Sequence, residues 1–311
     1  MSRLVSLDHV EYDANSVVTV GTFDGVHAGH RSLIQQLVVR AKELHCRSVV
    51  VTFDPHPREI LQPGSQGIGL LTSLDERAEL LGQLGVDIMV VIPFNRDFSL
   101  LSSESFLKDI IFKKIGLKAF IIGYDHHFGK DRLGDKSTVE QIGKDLGFTV
   151  EVVEAREINQ VIVSSSLARR SLINEGDIHS VKECLGRSYQ LTGIVVYGDG
   201  RGRTIGYPTA NIRLLNPRKI IPKNGVYAVW VDIYDRRYAG MMNIGLRPTF
   251  GIHDDRSLEV HLLDFNEDLY GKRLRIHFES RLRDEMKFGS VDALKEQLAS
   301  DRLLAIQRLK S

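Results

Sequence analysis

Between about residue 17 and residue 163, short apolar runs alternate with stretches of helical periodicity. The runs are "SVVTVGTF", "SVVVTF", "DIMVVIPF", "KAFIIG" and "FTVEVVE". Runs this short and this apolar suit strands buried on both faces, and their alternation with helices predicts a mostly parallel, Rossmann-like sheet with helices on both sides. Ser73 with Glu76 and Ser137 with Glu140 have capping-box spacing and mark two helix starts. The longest loop of this half is expected over "DPHPREILQPGSQGIGLLTS", directly after a strand.

The pattern changes near residue 186. "SYQLTGIVVYG", "GVYAVWVDIY", "RYAGMMNIG", "SLEVHLLDF" and "KRLRIHFESRL" alternate faces with period two, and "DIYDRRYAG" reads as a hairpin turn. A last run, "SVDALKEQLASDRLLAIQRL", gathers leucines on one helical face. The fold class expected is therefore α/β plus β: a parallel-sheet domain over residues 1–185, then a small antiparallel β-barrel with a C-terminal helix over residues 186–311. A chain of 311 residues is long enough for two cores, and no low-complexity linker or internal repeat interrupts it.

Composition narrows the partners. Forty-one Lys and Arg against forty Asp and Glu leave a net charge of +1, so neither nucleic acid nor an anionic membrane surface is expected, and phosphate binding must be local. Cys46 and Cys184 lie far apart, without metal-ligand or redox spacing, and read as buried free thiols. The first residues are polar and charged rather than signal-like, and no apolar run reaches the length of a membrane span. A cytoplasmic location is expected; nothing in the sequence fixes an oligomeric state.

Two glycine-rich stretches carry the candidate chemistry. In "VGTFDGVHAGH", Gly21, Gly25 and Gly29 sit where a strand turns into a helix, and His27 and His30 lie at the helix start. A helix N-terminus offers unpaired N–H groups and the positive end of the dipole, which favour phosphate, and glycine lets backbone approach it. In "YGDGRGRTIGYPTANI", Gly200, Gly202 and Gly206 flank two arginines, and the Gly-Lys-Ser/Thr ending of a Walker sequence is absent. Thr209 and Asn211 point to one face of a strand, an oxygen pair suited to Mg²⁺ with ATP phosphates. Taken alone, the first stretch also fits a polar turn and the second a long hairpin loop.

Together with "VVVTFDPHP", "IIGYDHHFG", "NIGLRPTFG" and "LEVHLLDFNEDLYGKRLRIHF", these stretches resemble, in order and over nearly the whole chain, the bacterial bifunctional riboflavin kinase and FMN adenylyltransferase family. The resemblance implies an enzyme that phosphorylates riboflavin in its second half and converts FMN to FAD in its first, with ATP as co-substrate. It implies ATP contacts from Gly21, Phe23, Asp24, Gly25, His27, Gly29, His30, Ser164, Ser165 and Arg169, and from Gly200, Gly202 and Gly206 in the kinase half. Flavin contacts are implied at Asp125, His126, Phe128, Asn243 and Arg247, Mg²⁺ ligands at Thr209 and Asn211, and a general base at Glu259, with His27 and His30 counted as catalytic. The partners implied are riboflavin, FMN and ATP.

Two departures stand out: Leu167 replaces an arginine common in "VSSSLARRSL", and histidines 126 and 127 stand where aromatic and basic residues are frequent. They support one alternative, a riboflavin kinase with a degenerate, regulatory nucleotide-binding domain. A second, an RNA-binding relative of class I aminoacyl-tRNA synthetases, lacks the basic stripe such a protein needs. The serine run also fits a plain helix cap, and Glu259 a plain strand residue.

Overall fold

A computed structural model describes residues 2–62, 68–124, 136–154, 157–158, 161–198, 201–246 and 256–310. It divides into two compact units, Met1–Ser165 and Ser166–Ser311.

In the first unit the expected alternation is realised. Its strands are β1 (Arg3–Ser6), β2 (Ser16–Val20), β3 (Arg47–Asp54), β4 (Ile88–Pro93), β5 (Ala119–Gly123) and β6 (Thr149–Val153), all parallel, in the spatial order β1-β4-β3-β2-β5-β6. Between them run α1 (Ala28–Glu43), α2 (Pro57–Leu61), α3 (Leu74–Gln83), α4 (Ser103–Ser105) leading into a π-helical Phe106–Ile115, and α5 (Lys136–Leu146). A short hairpin, β7 (Glu157–Ile158) and β8 (Val161–Ile162), follows.

Period-two alternation sorts each strand between two cores. Val17, Val50, Met89, Ala119 and Ile121 pack with Ile34, Leu37 and Ala41 of α1 and with Ala78 and Leu81 of α3. Their neighbours Val18, Val20, Val49, Val51, Val90, Phe120 and Ile122 pack on the other face with Leu107, Ile111 and Ile115 and with Val139 and Ile142 of α5. Every residue of β2 is buried, as a central strand between two helical layers requires.

The second unit begins with helices: α6 (Ser165–Arg170) continues from the unit boundary into a π-helical Ser171–Glu175, and α7 (Ile178–Leu185) follows. Strands β9 (Tyr189–Val196), β10 (Ala210–Leu214), β11 (Gly225–Ile233), β12 (Arg236–Leu246), β13 (Arg256–Leu262) and β14 (Arg273–Arg283) close an antiparallel barrel in the order β10-β13-β12-β11-β14-β9. Tyr189, Tyr227, Val229, Ile276 and Phe278 are fully or nearly fully buried and fill it. The expected hairpin joins β11 to β12 through Tyr234, whose φ of 53° serves the tight turn. One helical turn, α8 (Arg201–Thr204), interrupts the β-rich half. The closing helix α9 (Val291–Lys310) sets Ala305 against Ala228 and Met241, and its buried Asp301 accepts a forked ion pair from Arg283 at 2.7–3.0 Å.

Two local expectations are corrected, and one strand is added. α5 begins at Lys136, so Ser137 lies inside the helix rather than at its cap. The long loop after β3 contains α2, started by Pro57 and capped by His56, which accepts from Arg58 N and shares a capping box with Glu59. β1, unread in the polar N-terminal stretch, pairs with β4 at the sheet edge. The Ser73 capping box holds, with Ser73 Oγ accepting from Glu76 N at 3.2 Å and Glu76 Oε2 accepting from Ser73 N at 2.9 Å.

Candidate active sites

The strand order reverses at β2: β3 and β4 continue to one side and β5 to the other. Open α/β sheets bind ligands at such a switch point, outside the carboxyl ends of the strands. The segment leaving β2 there is the glycine-rich stretch. Gly21 donates to Val51 O at 3.0 Å, Phe23 and Val26 take φ of 47° and 41°, and Gly25 takes 85°. His27 then caps α1, its Nδ1 accepting from His30 N at 3.3 Å. The two imidazoles stack with centroids 3.6 Å apart, and Phe23 meets the His30 ring edge-on at 5.1 Å. A Cβ on Gly29 would come within 3.3 Å of the His27 ring, a tight contact that would press on the stack.

Asp24 faces inward. Its buried carboxylate accepts from Leu71 N at 2.9 Å, Thr72 N at 2.8 Å and Thr72 Oγ1 at 3.0 Å, with Arg77 Nη2 3.7 Å away. This expected phosphate contact is thus engaged in holding the loop. Ser165 at the start of α6 donates to Asp24 O at 2.8 Å, which ties it to the same loop. Ser164 immediately precedes α6 and Arg169 lies near its end. Asp125, His126 and Phe128, beyond the end of β5, lie outside the described residues.

The barrel brings a second group together. Asn211 on β10 pairs with Glu259 on β13, which pairs in turn with Asn243 on β12. Directly paired residues share a face, so three expected site residues form one rung across three adjacent strands. Thr209, just before β10, donates its hydroxyl to Glu259 Oε2 at 3.1 Å. Glu259 is half-buried and Asn211 buried, so this rung is not a plain solvated strand face. Gly198 approaches the Asn211 side chain so closely that a Cβ there would collide with it. A cavity of about 610 Å³ lies beside Thr209, lined also by Arg203 and Tyr270 and by Ala210, Val260 and Leu262, strand positions that alternate with the rung rather than the rung residues themselves. The exposed Tyr197 stacks on Tyr270 at 4.1 Å at its wall.

The second glycine stretch is in part a helical turn rather than an open loop: Gly202 lies in α8, and Gly206 follows it with φ of 84°. Gly200 and Arg247 lie outside the described residues. Residues 52, 72 and 77, which engage the first loop, escaped the reading of motifs. A signal existed: Arg77 occupies the apolar stripe of α3 with Leu74, Ala78 and Leu81, where a cation needs a buried partner.

Fold and sites together define a class: a switch-point nucleotide-binding α/β domain joined to an antiparallel barrel with its own polar rung and cavity. Two family models divide the chain in that way, FAD synthetase over residues 9–167 and riboflavin kinase over residues 185–309. A bifunctional riboflavin kinase/FMN adenylyltransferase of Pseudomonas fluorescens is 39% identical over 92% of this chain and 90% of its own length. The one of Bacillus subtilis is 38% identical over 96% of this chain and 93% of its own length. A crystal structure described as a macrolide-efflux protein from Streptococcus pneumoniae superposes with a TM-score of 0.90 at 31% identity, covering 97% of this chain and 98% of that one. The chain belongs to the bifunctional riboflavin kinase/FMN adenylyltransferase family. Among the described residues no helix is long and apolar enough to cross a membrane.

Proposed function

We propose that this enzyme makes FMN from riboflavin and ATP at the barrel rung, and FAD from FMN and ATP at the switch point, releasing pyrophosphate. The observation that carries the reading is that each domain keeps its own group of polar side chains, one around His27 and His30, the other around Glu259. The division of labour falls near residue 186.

In the barrel, the ribityl hydroxyl is a neutral nucleophile and needs a proton acceptor as its oxygen bonds to the γ-phosphorus and the bridging bond to the β-phosphate breaks, releasing ADP. Glu259 takes that proton, and Thr209 orients its carboxylate through the 3.1 Å hydrogen bond. Thr209 and Asn211, hard oxygen donors beside that carboxylate, fit a Mg²⁺ ion, which would neutralise charge on the ATP phosphates. Asn243, next along the rung, and Arg247 are assigned to the flavin, and the α8 segment with Gly200, Gly202 and Gly206 to the ATP phosphates.

In the α/β domain the FMN phosphate is already anionic, so its attack on the α-phosphorus needs no base. Positioning and charge neutralisation suffice, from the α1 N-terminus with His27 and His30 and from Ser164, Ser165 and Arg169. Asp125, His126 and Phe128 are assigned to FMN. We place the enzyme in the cytoplasm, with small-molecule partners only. Riboflavin, ATP and Mg²⁺ supplied together, with products separated by chromatography, test the reading: FMN followed by FAD supports it, and FMN alone favours the kinase with a regulatory first domain.

A further inference from the structure

The loop between β2 and α1 has an expensive shape. Phe23 and the β-branched Val26 both take positive φ, a region that side-chain-bearing residues adopt only where their surroundings enforce it. The enforcing contacts converge on one side chain of α3. Arg77 Nη1 donates to Thr52 Oγ1 at 2.9 Å, and Thr52 Oγ1 donates to Thr22 O at 3.0 Å, which fixes the start of the loop. Arg77 Nη2 donates to Thr72 O at 3.4 Å and lies 3.7 Å from Asp24 Oδ1. Thr72 in turn donates to Asp24 and accepts from Gly25 N at 2.9 Å, which fixes the loop's middle.

We propose that Arg77 is a positioning residue for adenylyl transfer: through Thr52, Thr72 and buried Asp24 it holds residues 22–26 in the shape that presents His27 and the start of α1 to ATP. The role rests on the assignment of adenylyl transfer to this domain. A guanidinium suits it because its planar fork reaches several acceptors at once, whereas an ammonium supplies charge from a single point. Buried positive charge without the fork therefore restores only part of the function.

The test compares Arg77→Met and Arg77→Lys in the full-length enzyme, measuring FAD formation from FMN over a range of ATP, with thermal melting alongside. Arg77→Met should lower kcat/KM for ATP by about 10²-fold through misplacement of the loop, mostly by raising KM, and Arg77→Lys should recover part of that loss. A folded Arg77→Met enzyme with parental kcat/KM overturns the role. So does a lowered active fraction with unchanged KM for ATP, which marks a purely structural residue. Should Arg77→Met not fold, Thr72→Val and Arg77→Lys decide: a raised KM for ATP in either supports the role, and parental KM in both overturns it. A parent enzyme that makes no FAD from FMN and ATP removes the adenylyltransferase assignment itself, and this role with it.

Discussion

Glu259 is the residue at which chemistry and plain strand structure diverge most. It alternates with buried Leu258 and Val260 as any outward strand residue does, yet it sits between Asn211 and Asn243 and accepts from Thr209. As a general base, its replacement by Gln should lower FMN formation about 10²–10⁴-fold, while an ordinary surface change shifts stability by only ~0.5 kcal/mol. Riboflavin binding, followed by fluorescence quenching, should persist; near-parental turnover would remove Glu259 from the mechanism. Asp264, another carboxylate near it in sequence, lies just after β13 and pairs with Arg302 of α9 at 2.8 Å. His277 carries a separate prediction. Burial lowers its pKa below the ordinary 6.5, against the opposing pull of Asp232, whose carboxylate lies 2.7 Å away. The unfolded chain then binds the proton more readily, so this contribution to stability is present above about pH 6.5 and is lost as pH falls through the lower folded value. Melting curves across that range should show the decline in the parent and a smaller one in His277→Gln; identical profiles would contradict it.

At the scale of elements, the helices after the first sheet are the informative ones. The change from alternating to β-rich sequence falls near 186, but the helical segment from Ser166 to Leu185 belongs by contact to the barrel unit. Lys182 pairs with Glu279 at 2.6 Å, Lys223 N donates to Leu172 O at 2.9 Å, and Val181 and Leu185 are buried. A fragment starting at Ser166 should therefore melt higher than one starting at Gly186. Two buried aliphatic side chains at about 1.5–3 kcal/mol each make the difference roughly 10 °C or more for a unit of this size. Equal melting temperatures would show those helices to be dispensable. The same scale explains what the sequence disclosed. Central strands were legible because double burial leaves them continuously apolar, and the Ser73 cap because its box is local. β1 was not, since an edge strand of four residues with exposed Leu4 carries almost no periodicity. α2 was hidden by prolines that read as loop, although Pro at a first helical position starts a helix as readily as it ends one. The Glu259 rung and the Arg77 clamp depend on which strands and loops become neighbours, and spacing along one chain does not specify that.

At the scale of the whole molecule, the two sites should fail separately. The His27 and His30 stack and the Glu259 rung lie in different units with different cores. Replacing both histidines with Ala removes the α1 cap, at a stability cost of about 1 kcal/mol, and leaves the barrel's own polar group intact. The most direct measurement gives the His27→Ala/His30→Ala enzyme riboflavin, ATP and Mg²⁺ and follows FMN and FAD over time by chromatography, beside the parent. The predicted result is riboflavin phosphorylated at the parental rate, with the product left as FMN and not converted to FAD. Loss of both products from a folded variant, or FAD formed at the parental rate, would contradict the two-site account.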